Sequence, residues 1–158
     1  MSTNFYLKRI PTEDEVKKIV DKIKSEATPD NVRYVLSDAI EEVDNIALEI
    51  HLGKRSGGWR FNWELWGNKY YQCSLESIRE FVESRMRDGW FIVDEYRNKY
   101  DWDGFIKEIE YNLNNGMFSD DPKNRDTYGY TWGVMNEVKV VDKNTGITLR
   151  FSRSEDFR

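Results

Sequence analysis

Apolar residues recur along this chain with two periods, and each period marks an element. Between Asn4 and Ile10, Phe5 and Leu7 alternate with Tyr6 and Lys8, the pattern of a short strand that Pro11 ends. Thr12 with Glu15 three residues on is a capping-box pair. Val16, Ile19, Val20 and Ile23 follow at helical spacing and predict a helix from Glu13 to about Ala27. Pro29-Asp30 restarts the chain, and Val32, Val35, Leu36, Ala39, Ile40 and Val43 predict a second helix up to Asp44-Asn45.

The period then shortens to two. Ile46, Leu48, Ile50 and Leu52 alternate with Ala47, Glu49 and His51. After Gly53-Lys54-Arg55-Ser56-Gly57-Gly58 the alternation resumes, with Trp59, Phe61, Trp63 and Leu65 against Arg60, Asn62, Glu64 and Trp66. Two alternating runs around a glycine-rich loop predict a β-hairpin. A slip of one residue would turn every large apolar side chain outward, so the register assigns one buried face. Glu49, His51, Arg60, Asn62 and Glu64 are left on a polar face that is expected to be open.

Ser74 is placed to cap a helix whose Ile78, Phe81, Val82 and Met86 face inward and whose stop is Gly89. A strand follows over Trp90 to Tyr96, then a helix capped by Asp101 with Phe105, Ile106, Ile109 and Leu113 as its stripe and Gly116 as its end. Residues 117–136 read as a long loop or irregular strand, an uncommon length for a connection without a role. Val138 and Val140, a turn over Lys143 to Gly146, then Ile147, Leu149 and Phe151 form a closing hairpin before a polar tail over 153–158. No repeat or linker divides the order, which predicts a single globular α+β domain over 1–158, a mostly antiparallel sheet with helices packed on one face.

Composition narrows the class. Only 39% of the 158 residues are apolar, but 6 Trp, 9 Tyr and 8 Phe supply large buried rings, so a core can close. The formal charge of −5 argues against general duplex-DNA binding, which needs a basic face. No run is long enough to span a membrane and the first residues carry no apolar signal core, so a cytoplasmic location is expected. With Cys73 the one cysteine and His51 the one histidine, neither an internal disulfide nor a two-Cys, two-His zinc set can be built. No metal, cofactor or catalytic residue is predicted.

Three segments carry a resemblance: Thr3 to Arg9, Ile50 to Phe61 (IHLGKRSGGWRF), and Asp94 to Tyr96 leading into Asp101 to Ile109. Together they resemble a family of small tailed-phage proteins with an Ile-His-(Leu/Ile)-Gly-Lys-x-Ser-x-Gly-Trp-x-Phe core. The resemblance covers roughly residues 3–110. It implies a phage origin, so that the expected cytoplasm is that of the host cell, and it supplies no catalytic role.

The candidate chemistry is that of binding. Lys54, Arg55, Ser56, Gly57, Gly58 and Arg60 combine cations, a hydroxyl and unobstructed amides, a set that suits a phosphate or carboxylate, with His51 and Trp66 placed to cover a ligand ring. The same loop also reads as a plain hairpin turn. Arg125, Tyr128, Tyr130 and Trp132 mix a cation with aromatics, the composition of a protein-partner surface. Glu64, Asp94 and Glu95 with Lys69 or Lys99 loosely match the carboxylates of a metal-dependent nuclease. The expected function is a phage-encoded, non-enzymatic binding protein that counters host defence, by sequestering an anionic nucleotide or by inhibiting a host protein. A hydrolase and a virion or assembly component are the alternatives, and a homo-oligomer is compatible with any of them.

Overall fold

The computed structural model describes residues 2–64, 74–118, 121 and 137–152. In chain order the elements are β1 (Ser2–Lys8), α1 (Glu13–Glu26), α2 (Val32–Ile46), β2 (Glu49–Ser56), β3 (Asn62–Trp63), α3 (Leu75–Arg87), β4 (Phe91–Asp94), β5 (Lys99–Tyr100), α4 (Trp102–Asn114), β6 (Glu137–Val141) and β7 (Thr148–Ser152). The fold is α+β. The seven strands form one mostly antiparallel sheet in the order β5-β4-β1-β2-β3-β7-β6. The chain divides into two compact units, residues 8–49 and the remainder.

In the sheet unit the core lies on one face. Alternate residues of β1 are buried, and Phe5 and Leu7 join Leu52, Phe61, Trp63, Ile92, Leu149 and Phe151. Ile78 and Val82 of α3 and Trp102, Phe105, Ile109 and Leu113 of α4 pack against them. Rings do much of the filling: Phe5 and Phe105 lie 5.2 Å apart, and Phe61 meets Trp63 edge to face at 4.7 Å. Both helices begin as their sequences require. Ser74 Oγ accepts from Ser77 N, and Asp101 Oδ1 accepts from Gly104 N. Asp142, in the β6–β7 turn, adds a second anchor by accepting from Leu75 N at the start of α3 and from Asn144 N. Burial alone would raise the Asp142 carboxyl, but these and further hydrogen bonds outweigh it and hold the group below its ordinary range.

The second unit is a helical hairpin. Thr12 and Glu15 exchange both capping-box hydrogen bonds at the start of α1, and Arg9 pairs with Glu15 at 2.8 Å. The turn is set by Asn31, whose Oδ1 accepts from Thr28 N and whose Nδ2 donates to Glu26 O. The α2 helix runs through Ile46, so Ile46 and Leu48 do not belong to the strand that the two-residue period predicted. Val35, Ala39, Glu42 and Ile46 form a half-buried stripe at i, i+4, i+7 and i+11, and the helical period prevails there.

The predicted β2–β3 hairpin needs two corrections. Only Asn62 and Trp63 form β3, antiparallel to β2 through Gly53↔Trp63 and Lys54↔Asn62 and parallel to β7. The preceding residues bond instead to the end of α4: Arg60 N donates to Met117 O and Phe61 N to Asn112 O. The polar face is also closed rather than open. His51, Asn62 and Glu64 are buried, with Glu64 only 2% exposed, whereas Glu49 is exposed and pairs with Lys8. His51 Nδ1 and Glu64 Oε2 meet each other there, which offsets the cost of burying both. Leu65 and Trp66 lie outside the described residues.

Candidate functional site

The alternation of β2 breaks once, and the break separates the residues expected to converge on a ligand. His51 stacks on Tyr6, with centroids 5.0 Å apart, and its Nε2 meets Asn4 Oδ1. Four residues on, a regular strand would return to that same face. Arg55 instead reaches Thr3 Oγ1 and lies over the Phe5 ring, the opposite parity of β1. Leu52 enters the core, and a Cβ on Gly53 would also meet the Phe61 ring, so two consecutive positions turn to one side as in a β-bulge.

On the core side the cations are committed. Arg55 donates to Glu108 O and Oε1 on α4. Arg60 donates from Nη1 to Leu113 O at 2.6 Å, a carbonyl in the last turn of α4, and from Nε to Gly116 O just beyond the helix. Lys54 and Ser56 are half-buried, and Ser56 O accepts from Trp59 N and Asn112 Nδ2. Gly57 and Gly58 are exposed. Gly58 sits at φ +80 and its carbonyl accepts from Met117 N, so the loop has the bonding of a turn locked to the end of α4.

On the other face, His51 Nδ1 pairs with Glu64 Oε2, both side chains buried. Asn4 is held between His51 and Glu95: its N and Nδ2 donate to the two Glu95 oxygens. A carboxylate only accepts, so the Asn4 amide turns its Nδ2 to Glu95 and its Oδ1 to His51, whose Nε2 therefore carries a proton. The arrangement orients the imidazole but leaves neither nitrogen facing an open space.

The carboxylates that resembled a nuclease are likewise occupied. Asp94 Oδ1 accepts from Tyr96 N and Asn98 N, and Oδ2 accepts from Asn98 Nδ2 and Tyr100 Oη. Four donors fill the acceptor capacity of a carboxylate. Burial would raise the Asp94 carboxyl, but these bonds outweigh it and hold it low, while burial and the bond to Asp94 push the Tyr100 phenol up to about 12. Asp94 thus organises the turn in which Arg97 takes φ 71. Among the described residues, no group of three or more His, Cys, Asp or Glu is placed to hold a metal ion. Trp66, Lys69, Arg125, Tyr128, Tyr130 and Trp132 lie outside the described residues.

A feature that sequence reading missed is on the helical hairpin. The seam between α1 and α2 consists of Glu15, Ile19 and Ile23 against Val35, Ala39, Glu42 and Ile46. One position further round each helix stand Val16 and Val20 on α1 and Leu36, Ile40 and Val43 on α2, with Val32 leading the same row, and all of them are exposed. Ile40 is 62% exposed and Leu36 44%. A step of 100° beyond the seam turns opposite ways in two antiparallel helices, so both rows point to the same side. They make one continuous apolar face. The signal was in α2: its apolar positions span two adjacent stripes, wider than one helix neighbour can cover.

Comparison with protein-family models, with curated proteins and with solved structures finds no match to this chain. Among the described residues, no helix is long and apolar enough to cross a membrane.

Proposed function

We propose that the chain is a non-enzymatic binding protein that works by protein–protein contact, with a host defence protein as target in the cytoplasm of an infected cell, a setting that fits the phage origin its resemblance implies. The observation that carries this reading is the apolar face of α1 and α2. Contiguous exposed apolar surface on a soluble domain marks a contact surface, and six aliphatic side chains in two parallel rows are more than scattered exposure. Nucleotide capture at the glycine loop is the weaker arm, because the Arg55 and Arg60 guanidinium groups that would recognise phosphate already serve α4.

Lysine-directed cross-linking in the producing cell tests the reading. Lys17 and Lys24 border the face, so they should join to a second polypeptide, and Leu36→Lys with Ile40→Lys should abolish those products. Cross-links of these lysines confined to their own chain would overturn it.

A further inference from the structure

On the sheet face away from the core, a row of cations flanks a buried amide whose oxygen has no partner, and we propose that Lys54, Asn62 and Arg150 there hold a phosphate group. The site is separate from the apolar face of α1 and α2 and from the turn over 56–58. Register places its parts. Lys54 of β2 pairs with Asn62 of β3, Asn62 with Arg150 of β7, and Arg150 with Lys139 of β6, so one line of side chains crosses four neighbouring strands. Paired residues share a face. Phe61 and Trp63 on either side of Asn62, and Leu149 and Phe151 on either side of Arg150, fill the core, so the line lies on the opposite face.

Asn62 is only 4% exposed, yet its Oδ1 has no hydrogen-bond partner. A buried acceptor left unpaired is costly, so the position calls for a donor that the chain itself does not supply. Neighbouring strands lie about 4.8 Å apart, so the long side chains of Lys54 and Arg150 stand on either side of the short amide. Lys54 is half-buried and has no ion pair or hydrogen bond among the described residues. Arg150 is fixed in place: its Nε donates to Glu137 Oε2, and its guanidinium lies over the Trp59 ring, 5.2 Å from the centroid. Exposed Lys139 adds positive charge at the end of the row, and Glu64, two residues on from Asn62, is taken by His51. Cations alone accept any anion, but the amide oxygen selects. A carboxylate or a sulfate at neutral pH has no proton to give. Phosphate, whose second pKa is roughly 6, keeps an O–H in its monoanion, so a single group offers charged oxygens to Lys54 and Arg150 and a donor to Asn62 Oδ1.

Calorimetric titration of the full chain near pH 6 tests the proposal, with inorganic phosphate in one arm, a nucleoside 5′-monophosphate in the other, and sulfate as the anion of like shape without the proton. Phosphate in at least one arm should bind about tenfold or more tightly than sulfate. Tighter binding of the nucleotide identifies the group as a phosphate ester, and binding of inorganic phosphate alone identifies the free ion. Lys54→Gln, at a half-buried position, should weaken phosphate by about tenfold or more. Asn62→Leu should remove the preference for phosphate over sulfate while an unchanged circular dichroism spectrum shows that the fold persists. If that variant does not fold, Lys54→Gln and the sulfate control decide. No binding in either phosphate arm up to about 10 mM, equal affinity for sulfate, or unchanged affinity in Lys54→Gln overturns the proposal.

Discussion

His51 and Arg55 stand four residues apart on β2 yet turn to opposite faces of the sheet, His51 to Tyr6 and Arg55 to Phe5. The step between them is Leu52-Gly53, and it depends on glycine. A Cβ at Gly53 would lie 2.4 Å from Asn62 O and 2.6 Å from the Phe61 ring, whereas one at Gly57 would meet nothing. Gly53→Ala should therefore destabilise strongly, by several kcal/mol or to the loss of folded protein, while Gly57→Ala should stay within about 0.5 kcal/mol of wild type. Urea unfolding of the pair checks this, and equal midpoints would refute the bulge.

Glu64 Oε2 and His51 Nδ1 are hydrogen-bond partners where neither is well solvated. Removing one partner leaves the other buried, so Glu64→Ala should cost about 3–5 kcal/mol. His51→Phe with Glu64→Leu, which removes both, should cost less than the sum of the two single changes in a double-mutant cycle.

Arg60 is expected to matter for stability through α4. Its two hydrogen bonds to Leu113 O and Gly116 O predict a loss of about 2–3 kcal/mol in Arg60→Ala. Arg55→Ala, whose pair with Glu108 is more exposed, should lose about 1 kcal/mol or less. Thermal melts of the two variants should rank them in that order.

The Asp94 and Tyr100 pair predicts a dependence on pH at both extremes. The Asp94 carboxyl is held below its ordinary 3.8, so its contribution is complete above that pH and is lost as pH falls through the lower folded value. Asp94→Asn should flatten the acid limb of a stability–pH curve, in part only, because Asp142 and Glu15 are lowered too. The Tyr100 phenol is raised from 10 to about 12, so its contribution is complete below pH 10 and is lost as pH rises towards 12. Tyr100→Phe should remove that alkaline loss, and absorbance of the tyrosinate should show one late-titrating phenol in the wild type.

Short-range chemistry was legible before any coordinates. The Thr12 capping box, the Ser74 and Asp101 caps and the glycine stops at Gly89 and Gly116 each need only neighbours within a few residues, and each is where the pattern put it. The burial of Phe61 and Trp63 was legible for the same reason, since period two assigns a face locally. The expected site was less so. The residues grouped as an anion site lie close in sequence, but a bulge of one residue divides them between two faces, and a bulge leaves little mark in composition.

The linear order of residues thus determined the elements, their caps and the α+β class, because these follow from bonds and periods that close within one or two turns. The tertiary structure decided what the charged residues do. Arg60 is assigned to α4 by Leu113 and Gly116, more than fifty residues away, and Glu64 to His51 across a strand pair. It also decided that one stripe of α2 is a seam and the next an open face. Those assignments depend on which groups are near in space when water is excluded, and distance along the chain carries no record of that.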